Sequence, residues 1–142
     1  MPTPTAHRLT AWHAMLATKD LSQAPGFLAE DVIFRSPVYW KPMQGRQTVA
    51  LVLGTVIQLF EDFQYHREWI MQDEQGEQWG LEFSAHIGDV QLKGLDLIRW
   101  NTDGLIQEFE VMIRPLNALT VVGQEMGKRL APYLAAAKQP LP

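Results

Sequence analysis

The sequence has no cysteine, which excludes disulfides and thiolate metal sites. It has no basic block: 12 Lys and Arg stand against 16 Asp and Glu, for a formal net charge of −4. Nucleic-acid binding driven by phosphate neutralisation is therefore not expected. It has no apolar run near the roughly 20 residues that a membrane-spanning helix needs. The opening MPTPTAHRLT lacks the apolar h-region of a signal peptide. No internal repeat or low-complexity segment occurs, no phosphate-loop pattern precedes a helix, and no Ser-His-Asp elbow is present. These absences leave a soluble cytoplasmic protein as the expectation, with neither nucleic acid nor membrane as partner and with no cofactor or metal.

What is there suits one globular domain over residues 1–142. Apolar residues make up 46% and charged residues 20%, enough for a core that needs no covalent staples. Thr5 after Pro4 reads as an N-cap, and Leu9, Trp12, His13 and Leu16 recur at helical spacing. A second short helix is expected to run to Glu30, followed by a strand from Val32 to Pro37 and a loop from Tyr39 to Arg46. Val49, Val52, Leu53, Val56, Leu59 and Phe60 mark one face of a helix over 47–62.

The period then changes from 3.6 to 2. Phe63, Tyr65, Trp69 and Met71 share one side of a strand over 63–72. Trp79, Leu81, Phe83, Ala85 and Ile87 share one side of the next, over 77–87. Gly88-Asp89 and Asn101-Thr102-Asp103-Gly104 are hairpin turns on either side of a strand over 90–101. A last strand over 105–114 precedes a helix striped by Leu116, Leu119, Val122, Met126, Leu130 and Tyr133, and the tail Gln139–Pro142 is expected to fray. Helices and one strand, then a long meander, then a helix predict an α+β fold. In it a cone-shaped, curved antiparallel sheet, a half-barrel, carries three to four helices on its concave face. Such a cone has an interior, the natural place for a ligand pocket.

One acid stands out. Asp96 sits in GLDLIRW, among Leu95, Leu97 and Ile98, and alternates with Gly94, Ile98 and Trp100, which places it on the apolar side of its strand. Desolvation there should raise its carboxyl pKa. Arg35, Tyr39 and Trp40 surround the exit of the first strand, at a pocket mouth or in ordinary packing, and Arg35 with Ser36 offers a cation and a hydroxyl that suit an anionic or carbonyl-bearing ligand. His66 with Glu68, Glu82 with His86, and Glu108 with Glu110 alternate on the side opposite the apolar set. They are assigned to the outer sheet face, not to a metal site. His13 receives no role.

FLAEDVIFRSPV (Phe27–Val38), Gly45 before its helix, and GLDLIRWNTDGLIQEFEV (Gly94–Val111), in this order, resemble the nuclear transport factor 2 superfamily. The resemblance is to its SnoaL-like and ketosteroid-isomerase-like branch, and it covers nearly the whole chain. It implies a cone-shaped fold, a pocket beneath the helices, and a homodimer formed through the outer sheet face, with His66, Glu68, Glu108, Glu110 and Arg114 as a polar network between subunits. It also implies a role for Asp96. In ketosteroid isomerases, a well-known instance of a carboxylic acid kept neutral by an apolar site, the matching acid donates a hydrogen bond to the substrate oxyanion. The family's general base corresponds to Ser36, which cannot serve as a carboxylate, and its oxyanion tyrosine to Trp12, an N–H donor without acid chemistry. The epoxide-hydrolase branch needs an arginine where this chain has Gly94. The cyclase branch asks for little beyond the strand acid.

The expected site is therefore Asp96 as the catalytic acid, with Trp12, Arg35, Ser36, Tyr39, Trp40, Ile98 and Trp100 shaping a pocket for a small hydrophobic, carbonyl-bearing ligand. An acid/base isomerase or cyclase is one reading. A non-catalytic binder of a similar ligand, or a structural dimeric domain filled by its own aromatics, are the others.

Overall fold

Three helices lie against one six-stranded sheet in the computed structural model, which describes residues 3–136. Helix α1 (Pro4–Thr18) is capped by Thr3, not Thr5: the Thr3 side chain accepts from the Ala6 N–H at 3.1 Å. Proline has no N–H to satisfy and fits the first helical turn, so the cap falls before it. The expected second helix is only a 3₁₀ turn, Ala24–Phe27. Pro25 and Gly26 in a four-residue stretch do not sustain an α-helix, and strand β1 (Leu28–Arg35) begins at once. A two-residue strand β2 (Met43–Gln44) interrupts the expected loop and pairs with β1. Helix α2 (Arg46–Leu59) follows, ending three residues earlier than its periodicity suggests.

The meander is β3 (Glu61–Asp73), β4 (Gly76–Ile87), β5 (Val90–Trp100) and β6 (Ile106–Arg114), and helix α3 (Leu116–Ala136) closes the order. The strands lie in the order β2-β1-β6-β5-β4-β3. All neighbours are antiparallel except β1 and β6, which run parallel. The sheet is thus mostly antiparallel, curved and open, an α+β architecture as its element order predicts. Register shifts mark where it bends: twice in β3, once between β5 and β6, and once between β1 and β6. Each extra residue in a ladder kinks the strand and steepens its twist. The tail Gln139–Pro142 lies outside the described residues. Among the described residues no helix is long and apolar enough to cross a membrane.

The core is in two parts. One gathers Trp12, Leu16, Val32, Phe34, Val52 and Phe109 with their neighbours. The other gathers Phe60, Phe83, Ala85, Leu92, Ile113 and Val122. A cavity borders both.

Candidate functional site

Alternation along β5 sets the site. Asp96 pairs with Leu81 of β4 on one side and Val111 of β6 on the other. It therefore points to the concave side, while its neighbours Leu95 and Leu97 border a groove on the outer side. Asp96 is 6% exposed and lies on the wall of a cavity of about 90 Å³. That wall is aliphatic and aromatic almost throughout. Among the described residues its ionisable side chains are Asp96 and the phenols of Tyr39 and Tyr65.

Burial pushes the Asp96 carboxyl up to about 7, a rise that a hydrogen bond from Tyr65 partly opposes. The Tyr65 hydroxyl donates to Asp96 Oδ2 at 2.7 Å. The Trp12 indole in turn donates through Nε1 to the Tyr65 oxygen at 3.0 Å. Part of Tyr65 remains exposed, but its hydroxyl end is enclosed. Burial first, and then the Asp96 charge, raise the phenol well above the usual tyrosine value. Phe63 meets Tyr65 edge to face at 4.9 Å and stacks with Phe83 at 5.1 Å. These aromatic packings hold the wall around the carboxyl.

Trp12, Ser36 and Tyr39 line the same cavity as Asp96. The Ser36 oxygen accepts from the backbone N–H groups of Val38 at 3.0 Å and Tyr39 at 3.4 Å. Its lone pairs face the turn, which leaves the hydroxyl proton to donate elsewhere. The other residues expected at the pocket do not line this cavity. Arg35 follows the buried Phe34, so it points to the outer side, where it pairs in register with Glu110. Trp40 is 98% exposed, on the loop between β1 and β2. Ile98 and Trp100 are on the Asp96 side but pack into the core, Trp100 against Trp79 at 4.7 Å.

Tyr65 is the residue that sequence reasoning missed. Its signal was present: it alternates with Phe63 on the apolar side of its strand, and a buried acid needs a partner. The side assigned to Glu68 also changes. The register shift between Tyr65 and Glu68 adds a residue, so Glu68 joins His13 of α1 at 2.9 Å while Trp69 and Met71 face the outer groove. His66 remains exposed and bonds Ser84. Glu82 is held by Arg67 and Lys93, and His86 by Asp62 and the Gly88 carbonyl.

No protein-family profile and no curated protein matches the chain. Solved structures do. A steroid delta-isomerase from Pseudomonas aeruginosa is 46% identical over 95% of this chain and 97% of its own, with a TM-score of 0.85. A protein from Silicibacter pomeroyi with a cystatin-like fold is 40% identical over 87% of this chain and 86% of its own, at 0.76. An NTF2-like protein of unknown function from Mesorhizobium loti shares the fold at 17% identity, covering 81% of this chain and 98% of its own, at 0.67.

Proposed function

Because the chain belongs to the nuclear transport factor 2-like, ketosteroid-isomerase-like superfamily, we propose that its cavity binds a small, hydrophobic, carbonyl-bearing ligand. Asp96 acts on that ligand as the acid, or hydrogen-bond donor. The observation that carries this reading is a lone carboxyl raised to about 7 on an otherwise apolar wall. A group that titrates near neutral pH is matched to general acid catalysis. A hydrogen bond donated to a carbonyl oxygen that gains negative charge is worth most in such a dry site. An isomerisation or cyclisation whose difficult moment is an enolate-like oxyanion fits this equipment. The steroid delta-isomerase among the similar structures supports the isomerisation.

Binding without turnover is the second reading, and one observation favours it. No second carboxylate, imidazole or amine lines the cavity among the described residues, and Ser36 stands where the family's base is expected. The test uses thermal shift against steroid ketones, aromatic polyketide-like ketones, terpenoid ketones and fatty acids, with the parent and Asp96→Asn side by side. Ligands that stabilise are then followed for conversion by ultraviolet absorbance. Retained binding with turnover lost in Asp96→Asn supports the enzyme. Altered binding with no turnover in the parent supports the binder. A panel that stabilises neither protein overturns both.

The outer sheet face we propose as the contact with a second copy. Trp69, Met71 and Met112 are about half exposed there. Arg35 stands beside Glu108 and Glu110, so a copy related by a two-fold axis can set cation against carboxylate. Light scattering on the parent should give a dimer and on Met112→Glu a monomer. A monomeric parent removes this assignment.

A further inference from the structure

The hydrogen-bond chain runs from Trp12 through Tyr65 to Asp96, with the indole donating first. An indole nitrogen donates and never accepts. Trp12 Nε1 lies 3.0 Å from the Tyr65 oxygen, so the phenol must accept there. The single phenolic proton is then free for one partner, and Asp96 Oδ2 is that partner at 2.7 Å. Oδ2 takes the one hydrogen bond that reaches this carboxyl among the described residues; Oδ1 receives none, and Asp96 lines the cavity. With the phenol donating to Oδ2, a proton carried by Asp96 on that same oxygen would meet the phenolic proton head on.

We infer that Trp12 and Tyr65 are positioning residues that seat the Asp96 proton on Oδ1, the oxygen left to the ligand. The inference rests on the reading of Asp96 as donor and deepens it. A tyrosine at position 12 could accept or donate, so the pair of phenols could reverse and Tyr65 could turn its proton away from the carboxyl. Tryptophan removes that choice. The site then presents one oriented donor from Asp96, and the Tyr65 hydroxyl is withheld from the ligand. The groups around the carboxyl from the flanking strands, Leu81 and Val111, are uncharged. His13 and Glu68, 2.9 Å apart, stand beside Tyr65 and are left unchanged by the substitutions below.

The experiment is a pH titration of the free protein labelled with carboxyl-¹³C aspartate, with the Asp96 signal identified by its loss in Asp96→Asn. The parent, Tyr65→Phe, Trp12→Phe and the double variant are compared. Losing the phenol removes a donor that favours the carboxylate, so Tyr65→Phe should raise the midpoint by about one pH unit. Trp12→Phe should raise it less, because the indole acts through the phenol. The double variant should match Tyr65→Phe. An unmoved midpoint in Tyr65→Phe overturns the inference. So does a Trp12→Phe shift that is equally large with and without the Tyr65 hydroxyl. Trp12 is fully buried, so if Trp12→Phe does not fold, replacement of the three tyrosines by 3-fluorotyrosine serves instead. The stronger phenol donor should lower the midpoint, and no change overturns the inference. No ligand enters this experiment, so it separates from the ligand panel: a failed panel with shifted midpoints sinks the proposed function alone.

Discussion

The His13 imidazole lies 2.9 Å from the Glu68 carboxylate, tying helix α1 to strand β3 just past the register shift that follows Tyr65. Both side chains are about one-third exposed, so water screens the pair. Glu68→Ala should cost no more than about 1 kcal/mol in urea unfolding. A larger loss would show that this contact holds the helix over the cavity.

Asp96 sets a pH dependence of the opposite sign to an ordinary carboxylate. Its value rises from 3.8 in a free side chain to about 7 in the fold. The unfolded chain therefore releases its proton first. The folded state is favoured fully below about pH 4, loses stability as pH climbs toward 7, and is level above. The bound is on the order of 4 kcal/mol. Asp96→Asn keeps the shape and cannot ionise, so it should melt higher than the parent at pH 8. That advantage should disappear by pH 4. Equal melting at both pH values would place the carboxyl in contact with water.

Gly94 is needed by its neighbours and not by its backbone angle. A Cβ there would stand 2.2 Å from Phe83 Cζ and 2.7 Å from the Met112 carbonyl oxygen. The ring could swing, but the carbonyl belongs to the adjacent strand. Gly94→Ala should destabilise by about 1–3 kcal/mol in denaturant titration, and the displaced Phe83 ring should crowd the cavity it lines. The same contact explains why an arginine cannot stand two residues before Asp96 in this chain.

On the outer face Glu82 behaves in the usual sense. The Arg67 hydrogen bond, assisted by Lys93, holds its carboxyl down to about 2 against a free value of 4.5. This contribution is present above about pH 4.5 and is lost as pH falls toward 2. Arg67→Ala should therefore melt below the parent at pH 7, and the gap should narrow steadily as pH falls from 4.5 to 2. A gap that persists in acid would assign the effect to Arg67 packing on Trp69, whose ring it overlies at 5.2 Å.

The meander of four consecutive strands, the hairpins at Gly88 and Gly104, and the inward side of Asp96 were legible because period-2 alternation and turn chemistry are local signals. The pairing of β1 with β6 was not, because nothing local records a parallel partner 70-odd residues away. The bulge after Tyr65 defeated the alternation directly. One inserted residue moves Glu68, Trp69 and Met71 across the sheet, and no glycine or proline between 61 and 73 announces it. Of the residues expected at the site, those fixed by the strand's own parity fell on the predicted side. Loop position alone did not decide the rest: of two adjacent loop aromatics, Tyr39 lines the cavity and Trp40 stands in solvent.

The hole between the two halves of the core has a mechanical consequence. Phe63, Tyr65, Val111 and Met126 pack against both halves, and the cavity that these four line leaves part of that boundary unfilled. An apolar guest of the kind proposed would fill that part of the boundary. It would bind as a removable piece of packing, and its occupancy would be read as stiffness: slower amide exchange in both halves together, and a melting temperature that climbs with the logarithm of guest concentration.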